Sequence, residues 1–280
     1  MQIEFGYDIT LAVQQPTPVH CLLDVHPDRR GDLVLEHPFQ VVPQAPALLH
    51  TDVFGNQVRR LVLQPGETIL SQRGVISDKG EPEQHRTDAQ EVEVPDLPTD
   101  SLQFLLGSRY CETDRLSDLA WKLFGGVPKG YGRVQAICDF VHSHLTFGYP
   151  YARATRTAAE GYEERQGVCR DFAHLAITFC RCLNIPARYV NGYLGDIGVP
   201  PNTAPMDFNA WFEAYLEEGW YTFDARHNIR RIGRIIIARG RDAADVPMIQ
   251  SFGPHELRGF HVVTHEITAA GSRVEEGAAA

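Results

Sequence analysis

The chain lacks CxxC pairs and ligand-spaced histidines, so no zinc site is signalled. Its six cysteines (Cys21, Cys111, Cys138, Cys169, Cys180 and Cys182) are scattered, without the spacing of a disulfide framework. That usage fits mostly reduced thiols and a cytoplasmic setting. Positive charge is in deficit: 26 Lys and Arg stand against 36 Asp and Glu, for a formal net charge of −10. Such a balance argues against an electrostatic nucleic-acid binder or a membrane-surface protein. No apolar run approaches the ~20 residues of a membrane span. Met1-Gln2-Ile3-Glu4-Phe5 has no basic stretch leading into an apolar one, so no secretion signal is visible. Nucleotide-binding glycine patterns and an acidic calcium loop are missing too, and no metal or cofactor is expected.

What is present divides into a β-rich part and a mixed part. With 280 residues the chain has room for two modest domains or one large one. Ile3, Phe5, Tyr7, Ile9, Leu11 and Val13 alternate with polar or small residues, the period of a strand with one buried face. Short strands are expected near 21–25, 39–42, 47–53, 58–63 and 68–76, separated by turn chemistry at Pro27-Asp28, Phe54-Gly55-Asn56 and Pro65-Gly66. Residues 1–100 are therefore expected to form a small all-β, sandwich-like domain. The Pro-rich acidic stretch Val94-Pro95-Asp96-Leu97-Pro98-Thr99-Asp100 marks its end.

Helical periodicity then takes over. Leu116, Leu119, Ala120, Leu123 and Phe124 line one helix face, and a second helix is predicted over 133–145. A third spans 168–183, burying Phe172, Leu175, Ala176, Phe179, Cys180 and Leu183, and stops at Asn184-Ile185-Pro186. Strands follow near 187–194, 208–216, 220–224, 233–238 and 260–267. Helices followed by antiparallel strands predict an α+β catalytic-type domain over 101–268, with a disordered tail at 269–280.

Cys169 stands in the first turn of the third helix. Unpaired N–H groups and the positive dipole end favour thiolate there, and thiolate is the nucleophile. Alternation places Asn209, Trp211, Glu213 and Tyr215 on one strand face, and Glu217-Glu218-Gly219 forms a turn into the strand that ends at Asp224. A thiol facing a hairpin that carries a base and a carboxylate has the layout of a nucleophile–base–orienter triad. The middle position, where a histidine is expected, holds Asn209.

Four segments carry a family resemblance: Gly167-Val168-Cys169-Arg170-Asp171-Phe172-Ala173, Ile185-Pro186-Ala187-Arg188-Tyr189-Val190-Asn191-Gly192-Tyr193, Ala210-Trp211-Phe212-Glu213-Ala214-Tyr215 and Phe223-Asp224-Ala225-Arg226-His227-Asn228. Together they resemble the core motifs of the transglutaminase-like superfamily, closely over 150–245 and more loosely from 101. The first hundred residues, with Asp52-Val53-Phe54-Gly55-Asn56, resemble the β-rich region that accompanies this domain in bacterial members. The resemblance implies a papain-like fold and a Cys–His–Asp triad acting on peptide or protein amides, with Cys169 as nucleophile, Asp224 as acid and Asn209 at the histidine position. A carboxamide cannot take a thiol proton near pH 7. Asn209 is expected instead to hydrogen-bond both Cys169 and Asp224.

Other histidines are candidates for the missing base. His174 lies roughly opposite the buried stripe of its helix, His142 reads as a core residue, and His227 would need a turn after Asp224 to swing it inward. Trp211 is expected in the core or the cleft wall, where it is the substrate-binding candidate. Arg226, Arg230, Arg231, Arg234, Arg239 and Arg241 are expected on solvated strand faces. The functional expectation is a thiol-dependent peptidase, amidase or acyl transferase, weak or inactive because of Asn209. The alternatives are a catalytically silent homologue that binds a peptide or protein in the same cleft, and a thiol redox sensor.

Overall fold

A computed structural model describes residues 1–200 and 205–267. The tail expected from 269 onward lies outside the described residues. The β-rich part is made by β1 (Gln2–Val13), β2 (Thr17–Cys21), β3 (Leu33–Glu36), β4 (Gln40–Val42), β5 (Leu48–Thr51), β6 (Gln57–Leu63) and β7 (Gly66–Ser77). The alternation in β1 is realised: Ile3, Phe5, Tyr7, Ile9, Leu11 and Val13 are all buried. β3 escaped the sequence reading because Val34 and Leu35 are exposed, leaving no alternation to see.

Four helices follow, α1 (Thr113–Phe124), α2 (Tyr131–His144), α3 (Ala158–Glu164) and α4 (Cys169–Cys182), with a short parallel pair, β8 (Thr146–Phe147) and β9 (Gln166–Gly167), between them. Only α3 is unannounced by periodicity, since it is too short to show any. Its capping box is nevertheless legible, with Thr157 accepting from the Glu160 N–H and Glu160 accepting from the Thr157 N–H. α4 is the central helix. From Asp171 to Cys182 every residue is buried, so the one-sided stripe expected of it is a correction: α1, α2 and α3 pack around it, and β10 (Ala187–Tyr193) and β11 (Asn209–Leu216) close the remaining side. His174 is accordingly fully buried, stacked on Tyr110 at 5.2 Å and accepting the Ala243 N–H.

β12 (Gly219–Phe223) and β13 (Ile235–Gly240) complete an antiparallel sheet in the order β12-β11-β10-β13. The mixed architecture is the α+β, papain-like class expected. The last two described strands depart from the expected boundaries. β14 (Ile249–Ser251) pairs with β2, and β15 (Glu256–Ile267) pairs along the whole of β1. The C-terminal strands thus complete the two N-terminal sheets, ordered β15-β1-β7-β3 and β14-β2-β6-β5. Period-2 patterning marks a strand without naming its partner. Polar contacts fasten the two parts together. Buried Asn56 donates to the Arg239 carbonyl at 2.7 Å and accepts the Arg239 N–H at 2.8 Å. Arg239 also bridges Glu213 and Asp28.

Candidate active site

The position of Cys169 is set by the residues before and after it. The Asp171 carboxylate accepts the Val168 N–H at 2.9 Å and is held by buried Arg156 at 3.0 Å, which fixes the start of α4. Gly167 is required by this arrangement, since a Cβ there would lie 2.6 Å from the Asp171 Cβ. Cys169 is the first residue of the helix, so its N–H has no partner within the helix.

Burial favours the protonated form of the Cys169 thiol. Burial pushes it up to about 11; the Ala210 N–H directed at the sulfur and the Arg226 charge lower it, while Asp207 and Asp224 raise it. This corrects the expectation of a thiolate. A helix terminus contributes only about 0.3–1 kcal/mol at most exposed sites, and desolvation outweighs it here. Asp207, which the sequence reading passed over, is itself raised by burial. Tyr149 lies in the same neighbourhood, raised by burial and then by Asp207 and Cys169.

Asn209 does not bridge the site. Its Nδ2 donates to the main-chain carbonyls of Asp207 at 3.2 Å and Leu194 at 3.5 Å. Among the described residues it bonds neither Cys169 nor Asp224, so the expected bridging role is corrected. Leu194 directly follows β10 and Asp207 precedes β11, and the carboxamide is occupied by these two carbonyls.

Asp224 directly follows β12 and is fully engaged. Its Oδ1 accepts the N–H groups of Arg226 and His227, both at 3.0 Å. Its Oδ2 accepts Arg234 Nη2 and His227 Nδ1, both at 2.8 Å. Burial alone would raise this carboxyl. The Arg234 guanidinium and the His227 hydrogen bonds overcome it and hold the group well below the usual carboxylate range. His227 is lowered, by burial first and by Arg226 and Arg231, against the raising effect of Asp224. At neutral pH the imidazole is therefore neutral with Asp224 ionised, Nδ1 carries the proton, and Nε2 keeps its lone pair. Nε2 meets the Arg226 guanidinium.

The turn after Asp224 is clamped onto α2. Asn228 adopts a left-handed φ of 51° and donates its N–H to the Asp224 carbonyl at 2.8 Å. Its side chain bonds Asp139 and Gln135. His142, expected in the core, is exposed and bonds the Arg226 carbonyl at 2.9 Å.

Trp211 is 1% exposed and lies under the Arg234 guanidinium, 4.7 Å from its centre. The expected substrate-binding role is thereby corrected: the indole supports the arginine that holds the acid and offers no surface to a ligand. The arginine run is corrected in part, since Arg230 is exposed as expected. Arg231 and Arg234 are buried, and Arg234, Arg239 and Arg241 pair with Asp224, Glu213 and Asp245. The partners of Arg234 and Arg239 come from other strands and loops, which linear charge counting does not reveal.

The model of the transglutaminase-like superfamily matches residues 117–225, a segment that contains Cys169, Asn209 and Asp224 and stops two residues short of His227. A solved structure of a candidate cysteine protease from Cytophaga hutchinsonii is similar at 31% identity, with a TM-score of 0.81, over 100% of this chain and 92% of that one. An uncharacterized protein of Mycobacterium leprae is 37% identical over 84 residues, 29% of this chain and 30% of its own length. One from Mycobacterium tuberculosis is 31% identical over 121 residues, 39% of this chain and 38% of its own length. The chain thus spans about a third of the length of these curated relatives. No helix among the described residues is long and apolar enough to cross a membrane.

Proposed function

Because the chain belongs to the transglutaminase-like superfamily, we propose that it performs thiol-dependent amide chemistry at Cys169, as a peptidase, amidase or acyl transferase acting on peptide or protein amides. The observation that carries this reading is the setting of the thiol. It sits on the first residue of a helix buried from Asp171 onward, and the Ala210 main chain and Asp224 act on its sulfur. In this reading Cys169 attacks the amide carbonyl, its own backbone N–H steadies the oxyanion, and Asp224 serves as the orienting acid. Water is the default acceptor of the acyl group, which favours hydrolysis over transfer. Asn209 supplies no proton transfer. General acid–base assistance is worth about 10²–10⁴ in rate, so turnover depends on whether another group takes that part. The six free cysteines favour a reducing, cytoplasmic setting.

The test is release of amine from peptide amides by the protein and by Cys169→Ala. Loss of release in the variant is expected; undiminished release would sink the proposal. A second reading, a silent cleft that binds peptide, is favoured by the occupied carboxamide of Asn209. It expects peptide binding without release, unaffected by Cys169→Ala. The redox-sensor reading is disfavoured, since a thiol pushed up to about 11 has little thiolate to oxidise at neutral pH.

A further inference from the structure

We propose that His227 is the proton acceptor for Cys169, taking the part that residue 209 leaves empty. This rests on Cys169 being the nucleophile. In a triad the acid holds one ring nitrogen of the base and leaves the other free. Asp224 does this to His227: Oδ2 accepts Nδ1–H at 2.8 Å, and Oδ1 accepts the His227 main-chain N–H at 3.0 Å. An extended strand would send residue 227 to the opposite face from Asp224. The clamped turn prevents that, because Asn228 folds back onto the Asp224 carbonyl and is tied to Asp139 and Gln135 of α2. The imidazole is returned to the carboxylate with Nε2 as its accepting nitrogen.

The Arg226 charge acts on both the Cys169 thiol and the His227 imidazole. Nε2 meets the Arg226 guanidinium, which lies 4.1 Å over the Phe147 ring, and Phe147 pairs with Gly167, two residues before Cys169. Arg226 thus occupies Nε2 and must turn aside before the proton moves. The charged and titratable groups facing Cys169 are Asp207, Tyr149, Tyr189, Arg226 and Asp224; those facing His227 are Asp224, Arg226 and Arg231.

The step balances within this set. The Cys169 S–H proton passes to Nε2, directly or through one water, and the thiolate adds to the amide carbonyl. The tetrahedral adduct expels the amine as the C–N bond breaks, and the amine takes the proton from Nε2. Water then adds to the thioester and gives a proton to Nε2. When the acid and thiol separate, that proton returns to sulfur.

The test measures alkylation of Cys169 by iodoacetamide from pH 5 to 10, by mass spectrometry, beside peptide-amide turnover. His227→Asn is the informative variant, since its Nδ2 can still donate to Asp224 but has no basic nitrogen; His227→Gln and thermal melts control for folding. The proposal expects the low-pH arm of alkylation to disappear in a folded His227→Asn protein, and turnover to fall at least about a hundredfold. Asn209→His in that background should restore part of both. An alkylation profile unchanged by His227→Asn would overturn the proposal. If Cys169→Ala still abolished turnover, the amide-chemistry reading would survive that failure. If Cys169→Ala left turnover intact, that reading would fall, and the alkylation profile would still decide the role of His227.

Discussion

Replacing Arg234 with methionine removes the cation that allows Asp224 to stay charged inside the protein. Arg234 is buried, bonds Asp224 Oδ2 at 2.8 Å, pairs with Glu83, and lies on Trp211. Methionine keeps much of the volume and the contact with the indole, so the change is chiefly electrostatic. Taking one partner from a buried ion pair costs about 3–5 kcal/mol, and here two carboxylates lose the same partner. A domain has only about 5–15 kcal/mol of stability in all, so the urea midpoint at pH 7 should fall steeply. The pH dependence has a definite sign. The folded-state pKa of Asp224 is depressed, so its contribution is present above the unfolded value of ~3.9 and is lost as pH falls through the lower folded value. Without Arg234 burial raises that carboxyl, and protonation relieves the unpaired charge. The gap between the two proteins should therefore be largest at pH 7 and narrow by pH 5. Urea titrations followed by tryptophan fluorescence at both pH values measure it. A loss under about 1 kcal/mol at pH 7, the level of an exposed pair, or a gap that widens in acid, would refute the reasoning.

Two further substitutions probe the site from either side. Asn209→His in the otherwise unchanged chain should raise amide turnover less than about tenfold, because the acid it would need already holds His227 and Arg234; a rise of about 10³, the middle of the range for acid–base assistance, would show that residue 209 is the true vacancy. Gly167→Ala places a methyl 2.6 Å from the Asp171 Cβ. It should cost about 1–3 kcal/mol by overpacking, read as a lowered melting temperature with slower alkylation of Cys169; an unchanged melt would mean that the helix start tolerates the shift.

Local pattern carried much of the fold. β1, α1 and α2 were visible because each buries residues at its own period, α4 because its apolar residues recur at helical spacing although the helix is buried all round, and the cysteine at the head of α4 with an acid just past a strand was visible from spacing. Three things were not. The return of β15 to β1 is a pairing between chain ends, about which alternation is silent. The desolvation that opposes a thiolate depends on what packs around residue 169, which a helix start alone does not reveal. Arg234 and His227 reach Asp224 only through the turn at 224–228, whose left-handed Asn228 and tethers to α2 come from distant sequence. The one available hint was the density of polar residues immediately after the acid.

The central claim, that Cys169 performs amide chemistry, is tested most directly by trapping its acyl-enzyme. A peptide activated as an ester or anilide is mixed with the protein, quenched in acid within the first turnover, and digested for mass spectrometry. The account predicts an acyl adduct on the peptide carrying Cys169, absent from Cys169→Ala. Release of product with no adduct on Cys169, continuing at full rate in Cys169→Ala, would contradict it.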